Sequence, residues 1–186
     1  MHDVSRLNHE ELLALFMTLQ PPGLDEMNGE YAAVLLDLPV RPARVTATPY
    51  NPLFPGHWLT KAFRPVNAER GRGYNSFRYF GRVVQRFPMT TLIAPSRYDG
   101  RPAYQLVYRA FKSYCGFLHM VDEVRRLDSG NYLCIGTLGF TDAARRIACP
   151  FLLTGPIAPY YRDTGVERPG FVIESELVAL PARGCG

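Results

Sequence analysis

The sequence consists mainly of short segments with β-strand character that are separated by tight-turn residues. Asp99-Gly100 is the strongest hairpin signal, because an Asp-Gly pair readily adopts the positive φ angles of a two-residue turn between antiparallel strands. Ser129-Gly130 gives a second hairpin signal further along the chain. Gly and Pro number 16 each, which favours many short elements over a few long helices. The sequence therefore predicts a meander of antiparallel strands.

The strand segments follow one another without an internal repeat. In order, they are predicted at 30–38, 57–63, one or two strands within 73–86, 88–96, 102–111, 117–127, 131–138, 147–154 and 171–180. Two stretches that contain several Pro residues, 39–55 and 155–169, are predicted to be long loops. A sheet of about eight or nine consecutive strands tends to close on itself, since closure removes its exposed edges. We therefore predict an all-β fold, an up-and-down antiparallel barrel whose interior can hold one small ligand.

One helix precedes the predicted barrel. Asn8 and Glu11 have the spacing of a capping box, in which each side chain accepts a hydrogen bond from the other residue's backbone N–H. Four apolar residues then recur at helical spacing on one face: Leu12, Leu15, Phe16 and Leu19. Pro21-Pro22-Gly23 ends the helix. We expect the apolar stripe to pack against the barrel.

Chain length limits the number of domains, and the distribution of charge limits the kinds of binding partner. A chain of 186 residues predicts a single domain, with helix and turn at 1–23, barrel at 24–180 and a flexible tail at 181–186. The net charge is +4, but the basic residues are scattered without a basic run, which argues against nucleic-acid binding. Pro, Gly or a charge interrupts every apolar stretch before about 18 residues, which argues against a membrane-spanning segment.

Cysteine usage points to a reducing compartment. Cys115, Cys134, Cys149 and Cys185 form no C-x-x-C and no zinc-type spacing. No secretory signal is recognisable, so disulfides are not expected and the predicted location is cytoplasmic. Motifs for nucleotide binding, serine hydrolysis or zinc proteolysis are not found either, so we expect no cofactor and no metal. The sequence leaves a homodimer open.

The N-terminal third carries a recognisable pattern of residues. The pattern is Leu15-Phe16, Leu19, Pro21, Leu24, Met27, Gly29, Tyr31 and Ala33. It resembles the start of the bacterial GXWXG proteins, in which a short helix runs into a G-x-W-x-G first strand. Similar openings mark the wider lipocalin-like (calycin) barrels, where the aromatic residue packs across the bottom of the barrel. Tyr31 stands where the motif has Trp, and Ala33 stands where it has its last Gly.

The later part of the chain resembles the same family in three consecutive strands. These are a tyrosine strand, an acidic and basic strand, and an apolar strand with Gly: Tyr104-x-Leu106-x-Tyr108, residues 120–127, and Leu133-x-Ile135-Gly136. Phe151-Leu152-Leu153 corresponds to the apolar strand that follows. The resemblance implies a lipocalin-like barrel, but it does not imply an activity.

Candidate ligand-binding residues lie on the predicted strands. Tyr104, Leu106 and Tyr108 share one strand face, which we predict to line the interior. A tyrosine hydroxyl there can hydrogen-bond a ligand carbonyl, and one inward Arg can hold a ligand carboxylate through a forked pair of hydrogen bonds. The predicted ligand-binding residues are Trp58, Arg78, Tyr104, Leu106 and Tyr132. For each of them, ordinary packing or surface exposure is the alternative.

The densest titratable group is formed by His119, Asp122 and Glu123. On a strand, His119 and Glu123 share a face, and Asp122 lies on the opposite face. With the first face inward, His119 and Glu123 are candidates for acid and base, with Tyr108 as a further proton carrier. The alternative is a solvated outer face on which Glu123 pairs with an Arg of a neighbouring strand. Because carboxylates alternate with Arg on both faces of 120–127, we predict that some charge is buried in either case.

Three functions are compatible with these features. The first is binding of a small hydrophobic or amphipathic molecule inside the barrel. The second is a cofactor-free isomerase, cyclase or hydratase that uses the same interior as its active site. The third is an interaction module with a filled core. Two titratable side chains that converge inside the barrel are the feature expected of the enzyme.

Overall fold

The secondary structure is mainly β, with short helices between some of the strands. The computed structural model describes residues 4–36 and 56–180. The strands are β1 (Gly29–Leu35), β2 (His57–Pro65), β3 (Arg70–Tyr79), β4 (Arg82–Pro95), β5 (Pro102–Val107), β6 (Val121–Asp128), β7 (Asn131–Thr137) and β8 (Cys149–Ala158). The helices in these residues are α1 (His9–Thr18), α2 (Tyr114–Phe117) and α3 (Asp142–Arg145). The predicted loop 39–55 and the predicted tail 181–186, which contains Cys185, lie outside the described residues.

The eight strands form one closed antiparallel barrel. Each strand pairs with the next, and β1 pairs with β8 as well as with β2. At this seam Ala33 lies opposite Leu153, and Leu35 lies opposite Phe151. The pairing gives every strand two neighbours, so the backbone donors and acceptors are satisfied within the sheet. The predicted antiparallel barrel with an N-terminal helix is confirmed.

Both predicted hairpins are also confirmed. Asp99-Gly100 lies in the turn between β4 and β5, and Ser129-Gly130 joins β6 to β7. Gly100 and Gly130 have φ angles of 70° and 79°, which side chains with a Cβ rarely adopt.

Several predicted boundaries are wrong, and 171–180 is not a strand. It forms a 3₁₀ turn at Ile173–Glu176 on the outside of the barrel. The reason is that β8 already pairs with β1, so the closed sheet offers no edge to a ninth strand. The predicted strand 117–127 begins only at Val121, because α2 and a short connection precede it. The predicted strand 102–111 ends at Val107 and continues as the 3₁₀ turn Tyr108–Ala110.

Helix α1 packs on the outer face of the barrel. Asn8 and Glu11 form the predicted capping box, with both side-chain-to-backbone hydrogen bonds present. Leu12 and Phe16 are completely buried in a cluster that includes Leu133 of β7. Leu15 and Leu19 are partly buried in the same cluster. The predicted stripe therefore covers part of the outer face of the sheet.

Arg125 ties α1 to the hairpin between β4 and β5. Its side chain projects outward from β6 and is completely buried. The guanidinium donates hydrogen bonds to both carboxylate oxygens of Asp99 at 2.7 and 2.8 Å, and to the carbonyl of Phe16 at 3.0 Å. It also lies 4.7 Å from the centre of the Phe16 ring. One buried cation thus joins the helix, a strand and a turn.

The two ends of the barrel differ. We call the end with the two predicted hairpins the hairpin end, and the end with α2 and α3 the helix end. At the hairpin end, Tyr31 packs inside the barrel at 5.6 Å from Tyr132 and 5.7 Å from Phe63, measured between ring centres. Met27 is buried beside them. Tyr31 thus packs across the interior at the hairpin end.

The segment after β8, residues 159–180, runs along the outside of the barrel. Asp163 forms a two-pronged ion pair with Arg64 of β2, at 2.8 and 2.6 Å. Further along, Glu176 accepts a hydrogen bond from Arg109 at 2.9 Å. The backbone N–H of Leu180 donates to the carbonyl of Arg97 at 3.0 Å. In the described ranges of the chain, no helix combines the length and apolar character needed to cross a bilayer.

The packing of α1 can be tested by truncating its buried stripe. Leu12→Ala is expected to lower the free energy of unfolding by about 2 to 5 kcal/mol, because a completely buried leucine leaves a cavity. Chemical denaturation followed by circular dichroism measures the change. The exposed Thr18→Ala is the control on the same helix and should change stability by less than about 0.5 kcal/mol. Equal effects of the two substitutions would show that α1 is not firmly packed on the barrel.

Candidate functional site

Four polar side chains meet inside the barrel, and we call them the polar cluster: Lys61, Asn75, Tyr108 and Asp122. Lys61 lies on β2 directly opposite Asn75 on β3. Asp122 lies on β6, and Tyr108 follows β5 in its 3₁₀ turn. Because β2 and β6 are four positions apart in a closed barrel of eight strands, Lys61 and Asp122 reach each other across the interior.

The hydrogen bonds of the polar cluster use every N–H of the Lys61 ammonium. Nζ donates to Asp122 Oδ2 at 2.7 Å, to Asn75 Oδ1 at 2.9 Å, and to the Tyr108 hydroxyl. The Tyr108 hydroxyl donates in turn to Asp122 Oδ2 at 2.9 Å and accepts from Asn75 Nδ2 at 3.2 Å. The Lys61 and Asp122 side chains are only 4% and 2% exposed. Such a buried ion pair is tolerated because Asn75 and Tyr108 supply additional hydrogen bonds to its charged groups.

Aromatic rings surround the ammonium. Nζ of Lys61 lies 5.1 Å from the ring centres of Trp58, Tyr108 and Phe151. The negative faces of aromatic rings attract a cation, and they also exclude water from it. Trp58 and Phe151 pack edge to face at 5.3 Å. The polar cluster is therefore embedded in an apolar wall.

Two buried polar atoms beside the cluster lack a hydrogen-bond partner among the described residues. They are Oδ1 of Asp122, an acceptor, and Nε1 of Trp58, a donor. Gly136 lies opposite Asp122 in the β6–β7 register, and a Cβ there would lie 3.0 Å from Oδ1. A side chain at position 136 would therefore press on this oxygen. Asp122 bonds to Lys61, and the Trp58 ring lies beside the same ammonium. A buried donor and a buried acceptor that lack partners around one side chain are features expected of a site for a polar ligand group.

The phenol of Tyr108 is held in its protonated form. Burial is the main cause that raises the pKa of its phenol well above its ordinary value, and the nearby Asp122 carboxylate adds to the effect. Burial likewise raises the pKa of the thiols of Cys115 and Cys134, which belong to the same interior core. These three groups therefore stay protonated near neutral pH.

Partly buried apolar side chains pack against the inner core near both ends of the barrel. Val84, Phe87 and Met120 do so toward the helix end, and Leu24 does so at the hairpin end. Tyr31 and Phe63 at the hairpin end are completely buried.

The structure brings three of the predicted site residues together. Trp58 and Tyr108 contact Lys61, and Leu106 lies opposite Asp122 in the β5–β6 register. Tyr104 also points inward, but its hydroxyl donates to Thr91 at 2.8 Å and its ring packs on Phe63. The strand face predicted to point inward, with Tyr104, Leu106 and Tyr108, does so. Tyr132 lies at the hairpin end, where its hydroxyl donates to Glu26 at 2.8 Å.

The predicted orientation of the acidic strand is wrong. The inward face of β6 carries Asp122 and Val124, so Glu123 projects outward. Glu123 accepts a hydrogen bond from the backbone N–H of Arg97 at 2.9 Å, and burial raises its carboxyl pKa. Glu123 thus lies on the outer face, as in the alternative, but it is buried rather than solvated, and Arg97 belongs to the turn after β4 rather than to a neighbouring strand. The prediction of buried charge is confirmed, since Asp122, Glu123 and Arg125 are all buried.

His119 and Arg78 lie away from the polar cluster. His119 precedes β6 in a left-handed conformation, with φ at 51°. Its Nδ1 lies 2.6 Å from Nη1 of Arg109 and 3.2 Å from Oε2 of Glu176, next to the outer C-terminal segment. Arg78 is exposed on β3.

Lys61, Asn75 and Asp122 were not predicted as site residues. The signal that could have indicated Lys61 is compositional: the chain has 21 basic residues, of which only Lys61 and Lys112 are lysines. Lys61 also interrupts an otherwise largely apolar strand segment between Trp58 and Phe63. Asn75 gives no comparable signal, because its role depends on a partner from another strand.

Comparisons with known proteins do not narrow the function. No protein-family model, curated protein or solved structure matches this chain at a significant level. Within residues 4–36 and 56–180, no group of three or more His, Cys, Asp and Glu side chains is arranged to hold a metal ion. Functional inference therefore depends on the geometry of the polar cluster.

The buried ion pair predicts a specific pattern of stability changes. Lys61→Met alone should lower the free energy of unfolding by about 3 to 5 kcal/mol, because it leaves the Asp122 charge buried without a counterion. The double variant Lys61→Met/Asp122→Leu should recover most of this loss, since neither charge then remains. Denaturant unfolding measures both changes.

A surface substitution provides the control for this cycle. Asp142 pairs with Arg145 on α3 and is 55% exposed, so Asp142→Asn should change stability by less than about 1 kcal/mol. A double variant no more stable than Lys61→Met would contradict the assignment of Lys61 and Asp122 as a coupled pair.

Proposed function

We propose that this protein binds a small, neutral amphipathic molecule inside the barrel, with the polar group of the ligand at the polar cluster. The observation that carries the proposal is the pair of unsatisfied buried atoms, Asp122 Oδ1 and Trp58 Nε1. A carbonyl oxygen can accept from the Trp58 N–H, and a hydroxyl can donate to Asp122. A ligand that supplies these groups removes the cost of leaving the two atoms unpaired.

Charge balance supports a neutral ligand. The positive charge of Lys61 is compensated by Asp122 at 2.7 Å, and the phenol of Tyr108 stays protonated. The polar cluster therefore has no net charge to offer an ionic ligand. A carboxylate would enter an apolar interior without a free counterion, which is costly.

The remainder of the ligand would contact the apolar wall toward the helix end. Phe77 and Phe87 pack edge to face there at 5.5 Å, and Val84 lies beside them on the inner face. These side chains suit an alkyl chain or a ring. Such a division between a few polar groups and an apolar wall is typical of small-molecule sites.

The barrel and the free cysteines support further proposals about the family and the cellular location of this protein. The closed barrel agrees with the resemblance to GXWXG proteins and to lipocalin-like barrels, which we extend to this chain as a proposal about its family. Cys115, Cys134 and Cys149 are free thiols, which supports a reducing, cytoplasmic location. A homodimer is a further proposal, which sedimentation analysis tests.

Trp58 provides the measurement that tests ligand binding. It is the single Trp of the chain and contacts the polar cluster, so its fluorescence reports on the proposed site. Titration with a series of alcohols from butanol to decanol should give a saturable change in emission. Octanoate should bind at least about tenfold more weakly than 1-octanol, because its charge has no partner. No saturable response to any alcohol would overturn the proposal in favour of a filled core.

Gly136→Ala is the variant that tests where the ligand binds. Its φ angle is not in the left-handed region, so alanine is tolerated by the backbone. The new methyl group would stand 3.0 Å from Asp122 Oδ1 and block the acceptor. The variant should fold and bind 1-octanol about tenfold more weakly. Unchanged affinity would place the ligand elsewhere.

The second candidate function is a cofactor-free isomerase, cyclase or hydratase that uses the same interior. The observation in its favour is the hydrogen bond from Tyr108 to Asp122 at 2.9 Å, which brings a proton donor and a carboxylate together. In this proposal Tyr108 is the acid and Asp122 the base, in place of His119 and Glu123.

Proton transfer can be tested without knowing the natural substrate. The protein should accelerate exchange of the α-hydrogens of 2-octanone with D₂O, followed by NMR, since Asp122 removes the proton and Tyr108 stabilises the enol oxygen. Tyr108→Phe should slow this exchange about a hundredfold. His119→Ala, a residue outside the polar cluster, should leave the rate unchanged. Equal rates for wild type and Tyr108→Phe would leave ligand binding as the function.

A further inference from the structure

We propose that Lys61 captures the carbonyl carbon of a small neutral aldehyde or ketone as an imine. This inference rests on the proposed function, because the ligand must first reach the polar cluster. It adds a covalent step and names carbonyl compounds as the class of ligand. The argument combines the choice of residue at position 61, the hydrogen bonds of Nζ and the surrounding rings.

The type of cation at position 61 is the first observation. Of the 21 basic residues in the chain, all except Lys61 and Lys112 are Arg. Arg125 shows that this fold can bury a guanidinium completely, with both of its terminal nitrogens hydrogen-bonded to Asp99 and to backbone carbonyls. A structural cation therefore does not require Lys. Lys differs from Arg in that its amine can lose a proton and act as a nucleophile.

The hydrogen bonds of Nζ supply the proton transfers that imine formation requires. Asp122 Oδ2 lies 2.7 Å from Nζ and can receive one of its protons. That transfer leaves a neutral amine and a neutral carboxyl group, which are still in hydrogen-bond contact inside the barrel. Asn75 Oδ1 at 2.9 Å and the Tyr108 hydroxyl then keep the amine oriented.

The chemical step is balanced within the polar cluster. The lone pair of the neutral amine forms a bond to the carbonyl carbon while the π bond of the carbonyl breaks. One N–H proton then passes from this nitrogen to the former carbonyl oxygen, which gives a neutral carbinolamine. Asp122 returns its proton to the departing hydroxyl through the hydrogen bond with Tyr108, the C–O bond breaks, and water leaves. Overall, one ammonium and one carbonyl compound give one protonated imine and one water. The cation that results remains beside Asp122 and among the rings of Trp58 and Phe151.

Other nucleophiles of the interior are less suited to this step. Burial raises the pKa of the Cys115 and Cys134 thiols, so their thiolate forms are scarce near neutral pH. Lys112 is exposed and provides an unactivated amine for comparison. The chain thus contains its own control for amine reactivity.

Reductive trapping with octanal and sodium cyanoborohydride tests the proposal on the full chain. The reduced imine is a stable secondary amine, and peptide mass mapping locates it. At low octanal and short times, we expect Lys61 to be modified at least about tenfold more than Lys112. Lys112→Arg should keep this adduct. Lys61→Arg, which retains a cation for Asp122 but cannot form an imine, should lose it.

The matched alcohol separates this proposal from the proposed function. 1-Octanol cannot form an imine, and its binding is measured separately through Trp58 fluorescence. Binding of 1-octanol without preferential labelling of Lys61 would overturn the imine and leave the binding function intact. If 1-octanol does not bind and Lys112 is labelled as much as Lys61, both proposals fail. Should Lys61→Arg fail to fold, the ratio of Lys61 to Lys112 in the wild-type peptide map still decides the question.

Discussion

Closure of the sheet is the constraint on which the rest of the structure depends. Pairing of β1 with β8 leaves every strand between two neighbours and gives each residue an inner or an outer position. The inner positions face one another across a space that eight strands make only wide enough for side chains or one small molecule. Residues far apart in sequence, such as Lys61 and Asp122, therefore come into direct contact. Without the pairing of β1 with β8, the two side chains would not face each other across a closed interior.

The interior is organised as two regions of different chemistry. Toward the hairpin end, Tyr31, Phe63 and Tyr132 form an aromatic floor whose hydroxyl groups bond to the turn around Glu26. Beyond this floor lies the ion pair of Lys61 and Asp122. Two buried atoms there, Asp122 Oδ1 and Trp58 Nε1, lack a hydrogen-bond partner among the described residues. A tightly packed region whose polar groups are all hydrogen-bonded gives rigidity. A region in which some polar groups lack partners favours a ligand that can hydrogen-bond to them.

Local signals predicted α1, the two hairpins and most of the strands, whereas long-range contacts determine the site. The capping box at Asn8 and the turn glycines Gly100 and Gly130 act within a few residues, so the sequence alone was sufficient for them. The orientation of β6 was not predictable in this way. Both of its faces are buried, one inside the barrel and one beneath α1 and Arg97, so hydrophobic alternation cannot distinguish them. Lys61 was not predicted as a site residue because its partner, Asp122, lies on the opposite side of the barrel.

The fully buried guanidinium of Arg125 couples parts of the molecule that are distant in sequence. It bonds to Asp99 in one turn and to the carbonyl of Phe16 in α1, and it packs on the Phe16 ring. Detachment of the helix would remove an acceptor from a cation that cannot be neutralised by losing its proton. We therefore expect the helix and the Asp99 turn to open together as one cooperative unit, with a similar level of protection of their amide hydrogens from solvent exchange.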